Sequence, residues 1–224
     1  MTKKLFHFIH HAAFWVEVNG KRALFDPYLD GNPAGLSAKD VKADWIFVSH
    51  AHSDHLGSAF EIARQNGATI ISTAEVCGLA TNAGCKAHAM HVGGTFTFEF
   101  GKVRLTPAFH GSGVAGGHAC GFIVDFYGAK VYFAGDTGLF GDMKWLREVE
   151  PFDVAILPIG GNFTMDPEDA VRAAAWLEAP FVIPVHYNTW PVIAQDALAF
   201  KAKVEEKRES KVLIVSPGET IEIP

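Results

Sequence analysis

The chain lacks the paired cysteines of disulfide-rich and cysteine-based metal proteins. It has three cysteines, Cys77, Cys85 and Cys120, and none of them forms a Cys-x-x-Cys pair. An odd number of cysteines without such pairs excludes a closed disulfide framework and a zinc-ribbon type of site. This usage of cysteine favours a reducing compartment.

Long apolar runs are also absent. No stretch approaches the ~20 apolar residues that a membrane-spanning helix needs. The N-terminal residues do not form the apolar core of a signal peptide, because His7, His10 and His11 interrupt them. The sequence therefore predicts a cytoplasmic protein without membrane association.

Positive charge is scarce. Lys and Arg number 19 against 25 Asp and Glu, which gives a formal net charge of −6, and no segment forms a basic arm. Nucleic-acid binding is therefore not expected. The densest charge run, Lys201 to Lys211, mixes both signs and is typical of a solvated helix face.

The pattern that is present predicts one layered α/β domain. With 224 residues and 49% hydrophobic residues, the chain is long enough for one substantial core over residues 1–224. Strands and hairpins dominate the first half, and strand–helix alternation follows, with helices expected at 142–149, 166–177 and 192–207. No linker or repeat separates the halves. We predict a four-layer αββα sandwich, in which two mixed sheets are flanked by helices.

Histidine placement is the informative feature among the 11 histidines. Four apolar strands each end on a metal-type ligand, namely His50, His110, Asp136 and His186. Because ligand crevices form where strand ends meet at one edge of a layered α/β fold, we expect these four side chains to converge.

The first of these strands runs into a dense cluster of ligand types. Within six residues, His50, His52, Asp54 and His55 supply three imidazoles and a carboxylate. Holding such groups together without a cation would be costly. Imidazole and carboxylate suit Zn²⁺ and also Mn²⁺ or Fe²⁺, so the pattern indicates a metal site.

These residues carry a family resemblance. The segment Ser49-His50-Ala51-His52-Ser53-Asp54-His55 resembles the HxHxDH signature of the metallo-β-lactamase superfamily, and His110, Asp136 and His186 follow in the order of its other ligands. Segments 10–14, 158–165 and 184–191 are similar to a subgroup of uncharacterised metal-dependent hydrolases related to ascorbate-phosphate lactonases. His10 departs from that subgroup, which often has glycine there.

The resemblance implies a hydrolase with two divalent metal ions, with Zn²⁺ the first choice. It places one ion on His50, His52 and His110, and the other on Asp54, His55 and His186. Asp136 would bridge them. A hydroxide shared by the two metals would then cleave an ester, lactone, amide or phosphodiester bond of a small molecule. Asp54 would orient this nucleophile and carry its proton onward.

Substrate-binding residues are less sharply indicated. Tyr187, Asn188 and Thr189 directly follow a ligand, so they either donate hydrogen bonds to the substrate or cap a helix that begins near Pro191. Asn162, in a glycine-rich loop, has the same two interpretations. His11, beside the unusual His10, is the remaining candidate.

Three other functions share parts of this pattern. A nuclease acting on RNA has the same signature but is disfavoured by the acidic charge. A diiron redox protein would carry glutamate instead of His52 and an attached flavin domain. A non-catalytic metal-binding module needs the ligands alone. The sequence leaves open whether the chain forms a homo-oligomer.

Overall fold

The computed structural model describes residues 2–207 and 210–224, apart from the side chain of Lys207, and contains two seven-stranded sheets. The first sheet is built from β1 (Lys4–His10), β2 (Ala13–Val18), β3 (Lys21–Phe25), β4 (Trp45–Phe47), β5 (Thr69–Thr73), β6 (Lys86–Met90) and β14 (Thr220–Ile223). Their order across the sheet is β14-β1-β2-β3-β4-β5-β6.

The second sheet is built from β7 (Thr95–Phe98), β8 (Gly101–Pro107), β9 (Cys120–Phe126), β10 (Ala129–Phe133), β11 (Val154–Pro158), β12 (Phe181–Val185) and β13 (Lys211–Val212). Their order is β13-β12-β11-β10-β9-β8-β7. Both sheets are mixed, because β3 to β6 and β10 to β13 pair in parallel while the remaining neighbours are antiparallel.

The α-helices are α1 (Ser53–Leu56), α2 (Ala59–Asn66), α3 (Ala74–Asn82), α4 (Met143–Val149), α5 (Pro167–Leu177) and α6 (Ala197–Lys207), and single 3-10 turns lie at Ala38–Asp40 and Pro191–Ile193. Helices α2 and α3 cover the outer face of the first sheet, and α4, α5 and α6 cover that of the second. None of these described helices has the length and apolar character to cross a bilayer.

An aromatic core joins the inner faces of the two sheets. Phe14 packs edge-on against Phe133 with ring centroids 5.1 Å apart, and Phe47 packs in the same way against Phe122 at 5.3 Å. Side chains alternate across each strand, so Phe133 faces this core while its neighbour Tyr132 faces the helices. Each such fully buried apolar side chain stabilises the fold by roughly 1.5–3 kcal/mol. The predicted αββα sandwich is confirmed.

The helix predicted over 192–207 is wrong at its beginning. A 3-10 turn comes first, and α6 begins at Ala197. The reason is local hydrogen bonding, because the Asp196 carboxylate accepts from the backbone N–H groups of Leu198 and Ala199 and thereby caps the helix. The charge run also fits a solvated face at Lys203, Glu205 and Glu206, which are exposed; its remaining members Arg208 and Glu209 lie outside the described residues.

Two glycines shape the loops that present the site. Gly57 separates α1 from α2, and a Cβ there would lie 2.4 Å from the Pro27 carbonyl oxygen. Gly135, directly before Asp136, has φ +61° and would place a Cβ 2.8 Å from the Cys120 carbonyl oxygen. Both positions therefore need glycine for close backbone approach.

Candidate metal centre

Strand ends bring the predicted ligands together at one edge of the sandwich. His50 follows β4, His110 follows β8, Asp136 follows β10 and His186 follows β12. His52, Asp54 and His55 come from the loop after β4 and the short helix α1. The described residues contain three sets of potential ligands whose ligand atoms lie within 4.8 Å of one another in each set: the two adjoining groups described next, and a third set formed by Asp26, His50 and His55.

The first group consists of three imidazoles. The Nδ1 atom of His52 lies 3.0 Å from His50 Nε2 and 3.3 Å from His110 Nε2. His50 is fully buried, and burial lowers its pKa to about 2. A neutral imidazole offers a lone pair, so this group has the form of a three-histidine cation site.

The second group consists of Asp54, His55 and His186, with His11 beside them. Asp54 Oδ2 lies 3.8 Å from His55 Nε2 and 3.3 Å from His11 Nε2. Burial alone would raise the pKa of Asp54, but the hydrogen bond from His11 and the charge of His55 hold it below its usual range. The carboxylate is therefore ionised at neutral pH and suited to a cation.

Asp136 lies between the two groups. Its Oδ2 atom is 3.5 Å from His110 Nε2 of the first group, 3.3 Å from His55 Nε2 and 3.1 Å from His186 Nε2 of the second. Burial would raise its pKa, yet His55 and His186 hold that pKa well below the usual range. This buried carboxylate is an anion that faces ligands from both groups.

Several buried polar atoms in this cluster have no hydrogen-bond partner among the described residues. They are His55 Nε2, Asp136 Oδ1, His186 Nδ1 and His186 Nε2. Leaving a buried polar atom unpaired costs about 1–3 kcal/mol, so a cluster of them inside one site is unfavourable for the protein alone. A divalent cation would satisfy the inward-facing atoms, and the donor set therefore fits a metal.

Asp26 makes hydrogen bonds that orient ligands of both groups. Its carboxylate accepts from the Ser49 backbone N–H at 2.7 Å, from the Ser49 hydroxyl at 2.5 Å and from His55 Nδ1 at 2.6 Å. Because the Ser49 hydroxyl donates to Asp26, it accepts from His50 Nδ1 at 2.9 Å. Both imidazoles thus carry their proton on Nδ1 and direct Nε2 into the site, which is how outer carboxylates orient metal-binding histidines.

The charge of Asp26 and Asp136 also acts on His55. Burial alone would lower the pKa of this imidazole, but the two carboxylates raise it well above its ordinary value. These carboxylates therefore favour the protonated form of His55 in the metal-free protein. Binding of a cation must displace that proton, which couples metal affinity to pH.

Backbone strain concentrates at the site. His11, Asp26 and His186 have φ values of 54°, 38° and 56°, in the region that side chains other than glycine rarely adopt. Two of the three are joined directly, since the His186 N–H donates to the His11 carbonyl oxygen at 2.7 Å. Such strain persists where the surrounding structure imposes it, and it is common at functional sites.

Comparison with known proteins agrees with this geometry. A profile described as a beta-lactamase superfamily domain matches residues 21–187. A "UPF0173 metal-dependent hydrolase" of Natranaerobius thermophilus is 52% identical over 217 residues, covering 96% of this chain and 98% of the relative. The chain belongs to the metallo-β-lactamase superfamily. A protein with the same name from Pelotomaculum thermopropionicum is 45% identical over 225 residues, covering 96% of this chain and 98% of the relative.

A solved structure supports the same family assignment. Igni18, described as a novel metallo hydrolase from the hyperthermophilic archaeon Ignicoccus hospitalis, is 37% identical, covers 99% of both chains and has a TM-score of 0.91. The protein is a metal-dependent hydrolase, as the sequence predicted.

The cavity over the candidate metal ligands is lined by Tyr28, His52, Ser53, Asp54, His110, Asp136, Phe163, His186, Trp190 and Val192. The substrate residues predicted from the sequence are not in this lining. Tyr187, Asn188, Thr189 and His11 line a different cavity, and Asn162 is an exposed residue next to Phe163. Substrate contact by these residues therefore stays a prediction.

Asn188 and Thr189 also make local contacts. The Asn188 Oδ1 atom accepts from the Gln195 backbone N–H at 2.8 Å and closes the loop around the 3-10 turn. The turn itself begins at Pro191 without a side-chain cap, so the capping alternative from the sequence is not observed. Thr189 Oγ1 lies 2.8 Å from His11 Nδ1. Substrate contact by His11 stays a prediction. The structure places its ring between Thr189 and Asp54. Burial lowers the pKa of this imidazole to about 4.

Sequence reasoning missed Asp26, Tyr28 and Trp190. Asp26 carries the same signal as the ligands, since a carboxylate directly follows the buried strand β3, but the following proline suggested only a strand end. Tyr28 and Trp190 are separated by most of the chain and meet only in the folded protein, so no spacing in the sequence indicates them.

Proposed function

We propose that this hydrolase holds two divalent cations, Zn²⁺ first and Mn²⁺ or Fe²⁺ as alternatives. His50, His52 and His110 would hold one, and Asp54, His55 and His186 the other. The observation that carries this proposal is the position of Asp136, whose single Oδ2 atom lies 3.5 Å or less from histidines of both groups. A carboxylate in that position can offset the repulsion between two neighbouring cations.

The proposed reaction is hydrolysis of an ester, lactone, amide or phosphodiester bond in a small-molecule substrate. A two-cation site lowers the pKa of water, polarises the electrophilic oxygen and stabilises the leaving atom. Seven ligand positions are present, and the described site contains no side chain placed as a covalent nucleophile. Water is therefore the proposed attacking group.

Asp54 is the proposed catalytic residue. It lines the cavity with a side chain 24% exposed, so it can contact the attacking water directly. Its carboxylate is ionised, and it would orient the water and accept the proton that the attack releases. The hydrogen bond from His11 Nε2 to Oδ2 would fix the carboxylate's orientation during this transfer.

Tyr28 and Ser53 are added to the hydrogen-bond donors predicted from the sequence. Both line the cavity, and burial raises the pKa of the Tyr28 phenol, so its hydroxyl remains a donor at neutral pH. These two hydroxyls are the proposed hydrogen-bond donors to the substrate. Tyr28→Phe should raise KM or lower kcat while leaving the metal content unchanged, because imidazole and carboxylate ligands for both cations remain in place without the phenol.

The experiment is a turnover screen with the zinc-reconstituted protein on a matched panel: a chromogenic ester, a lactone, an amide, a phosphodiester and a generic RNA. We expect metal-dependent hydrolysis of at least one small substrate and loss of turnover in Asp54→Asn, with Asp44→Asn as the control carboxylate outside the cavity. Turnover of RNA alone would favour the nuclease instead. Metal binding without turnover of any substrate would favour a non-catalytic module and contradict the proposal.

A further inference from the structure

One side of the cavity over the metal centre is apolar. Tyr28, Phe163, Trp190 and Val192, which we call the aromatic wall, line the same cavity of about 480 Å³ as the ligands His52, Asp54, His110, Asp136 and His186. Phe163 and Val192 are 51% and 56% exposed. Large apolar side chains exposed inside a cavity gain free energy when an apolar ligand group covers them.

The aromatic wall is held in position by its surroundings. The Trp190 ring stands edge-on to the buried His11 ring at 4.8 Å and lies 6.3 Å from Tyr28. The loop that carries Phe163 is closed by a hydrogen bond from the Gly161 N–H to the Met165 carbonyl oxygen, and the Met165 N–H donates to Thr137, the neighbour of Asp136. A wall fixed in this way loses little conformational entropy when a ligand binds.

The same cavity contains no cationic side chain. Across residues 2–207 and 210–224, the ionisable groups in its lining are the candidate metal ligands and Tyr28, and neither lysine nor arginine is among them. A phosphate or carboxylate placed against the aromatic wall would lose hydration without gaining a charged partner. Recognition of such groups normally uses arginine or lysine.

A second cavity, which also has His110 in its lining, is likewise mostly apolar. It measures about 450 Å³ and is lined by Val92, Pro107, Ala108, Phe109, His110, His118 and Ala119, again without lysine or arginine in the part of the chain that the structure describes. Phe109 is 68% exposed there. Apolar surface therefore continues beyond the centre.

We propose that the substrate carries an uncharged aryl or branched alkyl group next to the bond that is cleaved, and that this group packs on the aromatic wall. Phe163 and Val192 are then specificity-determining residues, and a substrate with a distal phosphate, such as a phosphorylated sugar lactone, is disfavoured. This inference rests on the proposed function, because it takes the metal centre as the place where the bond is cleaved.

Hydroxamates test the proposal without turnover, because they bind metal centres through the hydroxamate group. Calorimetric titration of the zinc-loaded protein would compare acetohydroxamate, phenylacetohydroxamate and 4-carboxyphenylacetohydroxamate, whose rigid para-carboxylate points away from the cations. We expect the phenyl compound to bind about tenfold more tightly than the methyl compound, as covering part of one aromatic ring implies. The para-carboxylate should remove most of that gain.

Two substitutions test whether the aromatic wall causes the preference for the phenyl compound. Phe163→Ala should reduce the advantage of the phenyl compound to about threefold or less, whereas Phe96→Ala, which removes an aromatic ring that is 46% exposed on β7 and outside the cavity, should leave it unchanged. The proposal is overturned if the carboxylated compound binds as tightly as the phenyl compound, or if Phe163→Ala leaves the preference intact.

The two proposals fail in different ways. If the expected hydroxamate ranking appears but no substrate is hydrolysed, the wall's preference for an apolar group is supported and the proposed reaction is contradicted. If substrates are hydrolysed but the ranking is absent, the aromatic wall is not the specificity surface. If none of the three hydroxamates binds, an accessible metal centre is contradicted, and the substrate inference falls with it.

Discussion

Replacing Asp26 by asparagine changes the charge and hydrogen bonding beneath the metal centre while preserving the size of the side chain. In the native protein the carboxylate accepts three hydrogen bonds, from the Ser49 N–H, the Ser49 hydroxyl and His55 Nδ1. An amide has one acceptor oxygen and one donor group. In either orientation of the asparagine, its NH₂ group therefore meets at least one of these donors.

The most damaging consequence concerns His55. If the asparagine NH₂ donates to His55 Nδ1, the imidazole proton moves to Nε2 and blocks the atom that faces Asp136. Loss of such an orienting carboxylate typically reduces metal affinity about 10–100-fold. One buried donor left unpaired lowers the free energy of unfolding by about 1–3 kcal/mol. We expect both effects in Asp26→Asn, although Asp26 acts on the predicted ligands through its hydrogen bonds to His55 and Ser49.

The measurements are zinc affinity by competition with a chromogenic chelator and the free energy of unfolding by urea titration in a chelating buffer. Asp44→Asn is the matched control, because Asp44 also accepts a backbone N–H, that of Arg22 at 2.9 Å, but pairs with the exposed Lys21 outside the site. It should change zinc affinity less than threefold, since surface ion pairs contribute about 0–1 kcal/mol. Native zinc affinity in Asp26→Asn would refute the orienting role.

Three further predictions follow from the charges at and around the site. Asp54→Asn should lower kcat by about 100-fold or more while the melting temperature changes by only a few degrees, because the amide keeps the shape but accepts no proton; near-native turnover would remove Asp54 from the mechanism. In the metal-free protein, His50 and His11 have pKa values lowered to about 2 and about 4, mainly by burial, so the unfolded chain takes up protons below pH 6.5 that the folded chain does not. Stability should therefore fall from pH 6.5 to pH 5 for each of the two histidines, with a slope that approaches about 1.4 kcal/mol per pH unit only towards pH 5, while His55, with its raised pKa, contributes a nearly constant amount in this window; a melting temperature in chelator that holds or rises would contradict this. Generic DNA or RNA should bind negligibly at physiological salt because the net charge is −6, and micromolar binding with a steep salt dependence would show otherwise.

The ligand groups could be predicted because they depend on regular structure. Strand β12 is a continuous apolar run, and β10 is apolar from Val131 onward; in the sequence a polar ligand is visible directly after β12 and three residues after β10. Parallel pairing of β10, β11 and β12 then places the ends at one edge. The layered fold follows from the same strand and helix patterns.

What could not be predicted depends on irregular backbone and distant contacts. Strand β6 was not expected, because its mostly exposed or half-buried residues give little apolar signal. Asn188 and Asn162 have left-handed φ values of 60° and 51°, a backbone conformation that neither residue requires from its sequence context. The aromatic wall was missed for a related reason, since Tyr28 and Trp190 meet only through folding.

The central claim is that Asp136 joins two cation sites, and metal content tests it most directly. Wild type, Asp136→Ala, His50→Ala and His186→Ala would be loaded with excess zinc, desalted under identical conditions and measured by mass spectrometry. We expect about two zinc ions per chain in the wild type, about one in each histidine variant, and less than one in Asp136→Ala, because both sites lose the shared anion. A wild-type content at or below about one ion under zinc excess, or two tightly held ions in Asp136→Ala, would contradict the account.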